Sequence, residues 1–142
     1  MKKISVIMVA LLFATFCFAQ KMQKKNVPAN LKSNFQKKYP QATAVKWDKE
    51  KQNYEASFKL NNIDHSVLMD ANGAILETEV KTDLIKLPKV ILTYINTNYA
   101  ATKPKGAAII TDYKGVITYE VEMKGMDLIF DNNGKFVKQV KG

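Results

Sequence analysis

From Val27 to Tyr39 the large apolar residues fall every fourth position, at Val27, Leu31, Phe35 and Tyr39, and the spacing returns at Leu87, Ile91, Ile95 and Tyr99. That interval lines side chains up along one helical stripe, and Pro28 and Pro88 stand in the first turn, where a missing backbone N–H is tolerated. Two amphipathic helices of about three turns are predicted. Elsewhere the period is two. Tyr54, Ala56, Phe58 and Leu60 alternate with Glu55, Ser57 and Lys59, while Ile117, Tyr119, Val121 and Met123 alternate with Thr118, Glu120 and Glu122. Both read as half-buried strands with one wet face. Ile63, His65, Val67 and Met69 give a further strand, matched by Met126, Leu128 and Phe130. Polar or glycine-containing turns fall at DKEKQN, LNNID, DYKG and MKGM.

The chain therefore reads as a duplication. The helices match at an offset of 60 residues, Tyr54-Glu55 matches Tyr119-Glu120 at 65, and Asp70, Asn72 and Gly73 match Asp131, Asn133 and Gly134 at 61. The drift marks loops, where insertions and deletions are tolerated. Each copy is predicted to be one helix followed by four antiparallel strands. The repeated Asp-x-Asn-Gly could be a cation loop or a hairpin turn. An EF-hand loop would place a bidentate Glu at its twelfth position, which here is Lys81 or Gly142. A turn led by Asp, with Gly supplying positive φ, fits instead.

The first residues run two lysines, an apolar stretch from Ile4 to Phe18, then Ala19-Gln20, the order of a secretory signal peptide. Cleavage after Ala19 is expected. An uncleaved anchor and lipidation of Cys17 are the alternatives, but the apolar stretch is short for a span, and Phe16 is large where a lipoprotein signal has a small residue. Cleavage removes the only cysteine, leaving no disulfide, thiol nucleophile or cysteine zinc site. It also removes Lys2 and Lys3, so the net charge drops from +9 to +7. All of the basic residues are lysine; with no Arg for bidentate recognition of bases or phosphate, and with export, nucleic acid is not an expected partner. The lysines read as a solubilising surface or as a loose attraction to anionic lipid headgroups or an acidic partner.

Candidate chemistry is sparse. His65 is the only histidine and shares a strand face with Ile63, Val67 and Met69, so a satisfied half-buried imidazole is expected. Glu77, Glu79 and Asp83 read as exposed edge-strand charges. Ser33, Ser57 and Ser66 sit in no nucleophile elbow, and there is no phosphate loop. No catalytic residue, metal ligand or cofactor site is assigned, and no enzyme is expected. Aromatic anchors for a partner are sought instead at Trp47, Tyr54, Tyr113 and Tyr119. Tyr54 and Tyr119 also fit the inward alternation of a core, while Trp47 and Tyr113 stand between core and surface.

The ordered double set of helix, YPQATAVKW, Tyr-Glu strand, hairpin and DANGAILETE behind a signal peptide resembles the PepSY-like, beta-lactamase-inhibitor-like family of exported bacterial proteins. The second copy departs from the pattern, with YAATKPKGAAII and no Trp. The resemblance implies an α+β fold in which two tandem helix-plus-four-strand repeats form one curved antiparallel sheet with helices on one side. It also implies a periplasmic or otherwise exported location in bacteria of the Bacteroidota type, and it carries no established activity and no binding residues. The expected organisation is a signal peptide over 1–19, a basic flexible arm over 20–26, and repeats over 27–82 and 83–142. The expected function is a non-enzymatic binding module for an exported protein, inhibitor-like action included. An envelope-associated domain taking anionic lipid, glycan or a small ligand is the alternative, and a weak hydrolase using His65 the third reading. Oligomeric state and partner identity are not fixed by the residues.

Overall fold

The structure is a computed structural model that describes residues 20–21 and 26–141. The expected signal peptide and residues 22–25 of the expected arm lie outside the described residues. Helix α1 (Ala29–Lys38) is followed by β2 (Thr43–Glu50), β3 (Asn53–Leu60), β4 (Ile63–Met69) and β5 (Ile75–Thr82). After a 3-10 turn at Leu84–Lys86 the order repeats with α2 (Lys89–Asn98), β6 (Gly106–Asp112), β7 (Ile117–Met123), β8 (Met126–Phe130) and β9 (Phe136–Lys141). A two-residue strand β1 (Gln20–Lys21) pairs with Asp48 and Lys49 on the outer edge of β2. All strands join one antiparallel sheet in chain order, β1 to β9.

Each helix rests on the strands of its own repeat. Leu31 and Phe35 pack with Val27, Trp47, Ala56, Phe58, Val67 and Met69. In the second repeat Ile91 and Ile95 pack with Leu87, Ala107, Val121, Met123, Leu128 and Phe130. The two clusters share no residue, and β5 and β6 join the repeats through a six-pair ladder from Glu77↔Asp112 to Thr82↔Ala107. Both helices end alike: Tyr39 N–H donates to Phe35 C=O and Tyr99 N–H to Ile95 C=O, each at 2.8 Å.

The repeated Asp-x-Asn-Gly is a hairpin turn. Asp70 Oδ1 accepts from the Asn72 and Ala74 N–H groups at 2.9 Å, and Asp131 Oδ1 from those of Asn133 and Lys135 at 2.9 and 2.8 Å. Asp112 makes a third turn of the same kind, accepting from Lys114 and Val116. In every case the carboxylate is engaged by backbone donors, which stabilises an Asx-type turn. Gly134 has a second reason to be glycine. Its φ is +78°, and a Cβ there would collide with Val90 and stand 3.2 Å from Ile91 Cγ1, because α2 begins directly above the turn.

Candidate functional site

Side chains on antiparallel partners share a face, so the register sorts the sheet into two surfaces. The face bearing the helices runs through Trp47↔Ala56↔Val67 in the first repeat and Ala107↔Val121↔Leu128 in the second. Among the described residues the opposite face has no helix on it. Its rows read Asp48–Glu55–Leu68–Glu77–Asp112, then Lys46–Ser57–Ser66–Glu79–Ile110–Thr118, then Lys81–Ala108–Glu120–Ile129–Lys138. Lys59↔Asp64, Glu122↔Asp127 and Glu50 at the end of β2 complete it. Ten of the chain's thirteen carboxylates belong to this face, and only Asp70, Asp83 and Asp131 do not. Lys46, Lys59, Lys81 and Lys138 share these rows and Lys105 lines the hollow beside Glu120, so carboxylates outnumber lysines on this face in a chain whose net charge is +9.

The electrostatics follow from that crowding. Burial, then the Glu79 and Asp127 charges, push the Glu120 carboxyl up to about 7, with Lys81 pulling the other way. Burial raises Glu55 and Glu77 as well, with neighbouring carboxylates adding to the effect, and Asp127 is raised by burial and then by Glu122. Lys81 lies at the centre of the group. Burial opposes its charge, but Glu79 (3.4 Å), Glu120 and Glu122 outweigh that and hold it above the ordinary lysine range. Two shallow depressions meet at Lys81. One, of about 290 Å³, sets Glu55, Asp64 and Glu79 against Lys46, Lys59 and Lys81 and is balanced in charge, while the second, of about 250 Å³, sets Glu120, Glu122 and Asp127 against Lys81 and Lys105. Ala108, fully buried beneath the longer side chains, keeps the centre of this surface low.

Of the three carboxylates expected as exposed edge charges, Asp83 is exposed beyond the end of β5, while Glu77 and Glu79 are not at an edge. Glu77 and Glu79 belong to β5, the middle strand, paired with β4 on one side and β6 on the other, so they lie in the interior of a charged face. The signal that could have found that face was the polar half of each alternation, Glu55-x-Ser57 and Glu120-x-Glu122. Strand order was the missing piece.

The four aromatic candidates separate. Trp47 is 5% exposed and packs edge-to-face on Phe35 at 5.5 Å, so it belongs to the first core and offers a partner no surface, a correction to its expected role. Tyr54 packs half-buried against the same core, and Tyr119 does so against the second. Tyr113 is 67% exposed at the tip of the β6–β7 hairpin, beside the exposed Val116 and Ile117, and its N–H donates to Leu76 C=O at 2.8 Å. The structure does not bring these four rings together.

His65 is half-buried and stacked on Phe58 at 5.4 Å, and burial lowers its pKa below the ordinary histidine value. Ser66 points to the opposite face, where it hydrogen-bonds Glu55, so no Ser-His pair forms there. Among the described residues no group of three or more His, Cys, Asp or Glu is arranged to hold a metal ion, and no helix is long and apolar enough to cross a membrane.

Comparison with known proteins agrees with this architecture. A solved BLIP-like protein of Bacteroides fragilis is 25% identical, with 80% of this chain and 85% of that chain covered and a TM-score of 0.60. A protein of Bacteroides eggerthii described as periplasmic gives a TM-score of 0.69 at 16% identity, covering 81% and 88%. A DUF2874 family protein of Bacteroides uniformis gives 0.67 at 19%, covering 80% and 88%. No curated protein matches the sequence. The family described as beta-lactamase-inhibitor-like, PepSY-like matches twice, over residues 14–77 and 70–138, and the doubled helix-and-sheet unit accounts for both matches: the chain belongs to the PepSY-like family.

Proposed function

We propose that this chain is an exported, non-enzymatic binding module that presents the helix-free side of its sheet to a partner protein in the periplasm. One observation carries the reading: both helices cover the same face of a nine-stranded sheet, and among the described residues the other face is free of a helix. The description of a similar solved protein as BLIP-like, and of another as periplasmic, supports a binding role and an exported location. The inhibitor-like form of this role is a narrower version of the same proposal.

The test uses mature protein from Gln20 onward, immobilised and exposed to envelope extract, eluted along a salt gradient and analysed by mass spectrometry. One dominant protein retained into moderate salt is expected, with Tyr113→Ala reporting whether the exposed hairpin tip joins the contact. Elution of only mixed anionic lipid or glycan at low salt would replace this reading with the envelope-associated one. That alternative draws on the lysine excess, most of which falls outside the sheet face described above.

A further inference from the structure

The reading as a binding module leaves the chemistry of the partner open, and the sheet face narrows it. Like charges facing one another across neighbouring strands destabilise a sheet, and here they are concentrated on one side of a chain that is basic as a whole. Glu55, Glu77, Glu79, Glu120, Glu122 and Asp127 spread over β3, β5, β7 and β8. Adjacent strands are about 4.8 Å apart, so the charges reach across about 24 Å. They do not converge as a metal site would, since among the described residues no three such groups are arranged to hold an ion. An occupant that engages them together must be long and carry several positive charges. Between the carboxylates lie the half-buried aliphatic side chains Leu68, Ile110 and Ile129. Charged groups set among apolar ones suit side chains with an apolar stem and a cationic head, which is the build of lysine and arginine.

We propose that this face is a docking surface for a lysine- or arginine-rich polypeptide segment of another protein, lying across the strands with its cationic side chains set against the carboxylates of β5, β7 and β8. This rests on the binding-module reading above. The raised carboxyl groups agree with it, because a cationic occupant would restore their charged form.

The probe is a fluorescein-labelled dodecapeptide of alternating lysine and alanine, titrated with the mature protein and followed by fluorescence anisotropy at low and high salt. Saturable, salt-weakened binding is expected. The combined variant Glu77→Gln, Glu79→Gln, Glu120→Gln should bind at least about tenfold more weakly, while Asp83→Asn, off the face, should bind like the parent. Gln keeps the shape and removes repulsion, and a thermal melt confirms that the variant is folded. Equal affinity in parent and combined variant overturns the proposal. So does salt-sensitive self-association in sedimentation that the combined variant abolishes, since the occupant is then a second copy. An envelope partner retained equally by parent and combined variant ends this inference while leaving the binding-module reading standing, and failure to retain any partner ends that reading.

Discussion

Gly134→Ala is expected to be the most damaging single-methyl change among the turn glycines, for two separable reasons. The first is conformational: φ is +78°, and a Cβ in the left-handed region costs about 1 kcal/mol. The second is steric. The new methyl would run into Val90 Cγ1, with Ile91 Cγ1 at 3.2 Å and Pro88 Cβ at 3.5 Å, and overpacking of this kind costs about 2 kcal/mol. Gly115 isolates the first effect, since its φ is +81° in the same type of turn and nothing lies within 4 Å of the place its methyl would take. Gly73 falls between, because its neighbour is the amide end of Asn34, a side chain that can swing away. For a domain of this size about 1 kcal/mol corresponds to about 4 °C, so Gly134→Ala should lower Tm by about 12 °C and Gly115→Ala by about 4 °C. Thermal melts followed by circular dichroism read both. Adding Val90→Ala, at a half-exposed position, should restore a good part of the steric loss in Gly134→Ala. If Gly134→Ala melts together with Gly115→Ala, the close approach of α2 to the turn is not what fixes this glycine.

Two further outcomes follow from the core and the charged face. The folded chain raises Glu120 from 4.5 to about 7, so it holds a proton that the unfolded chain releases, and its contribution to stability falls as pH rises through that window. His65, lowered by burial, tilts the other way near its own pKa, so the quantity to read is the Tm gap between Glu120→Gln and the parent. That gap should move in favour of the variant from pH 4.5 to 7, and a constant gap refutes a Glu120 carboxyl raised by its burial and its acidic neighbours. Trp47→Ala should cost about 4 kcal/mol in urea unfolding by emptying the first core, and a loss under about 1 kcal/mol would place the ring outside it.

The helices were legible because Leu31 and Phe35, or Ile91 and Ile95, must share a stripe to be buried at all. The strands were legible because their alternation separates Ala56 and Phe58 from Glu55 and Ser57. The turn chemistry was legible in Asp70 and Asp131, although the same bonds at Asp112 went unnoticed, since its loop lacks the Asn. The charged face was not legible. Glu55, Glu79 and Glu120 are far apart in sequence, and only the order of strands, carried by backbone hydrogen bonds that have no residue code, brings them onto one surface. Trp47 was ambiguous for a related reason. A bulge between Thr43 and Lys46, with Ala44 at φ +53°, shifts the register just before it and hides which face the ring takes.

The two hydrophobic clusters touch different helices and share no residue, while the backbone ladder between β5 and β6 runs unbroken through the join. Packing and hydrogen bonding are thus divided differently along the molecule. A change of twist at that ladder would alter the curvature of the open face without repacking either cluster, so the seam is where the sheet bends with the least loss of packing. By the same division, substitutions in the first cluster and in the second should add in their effects on stability, as independent sites do.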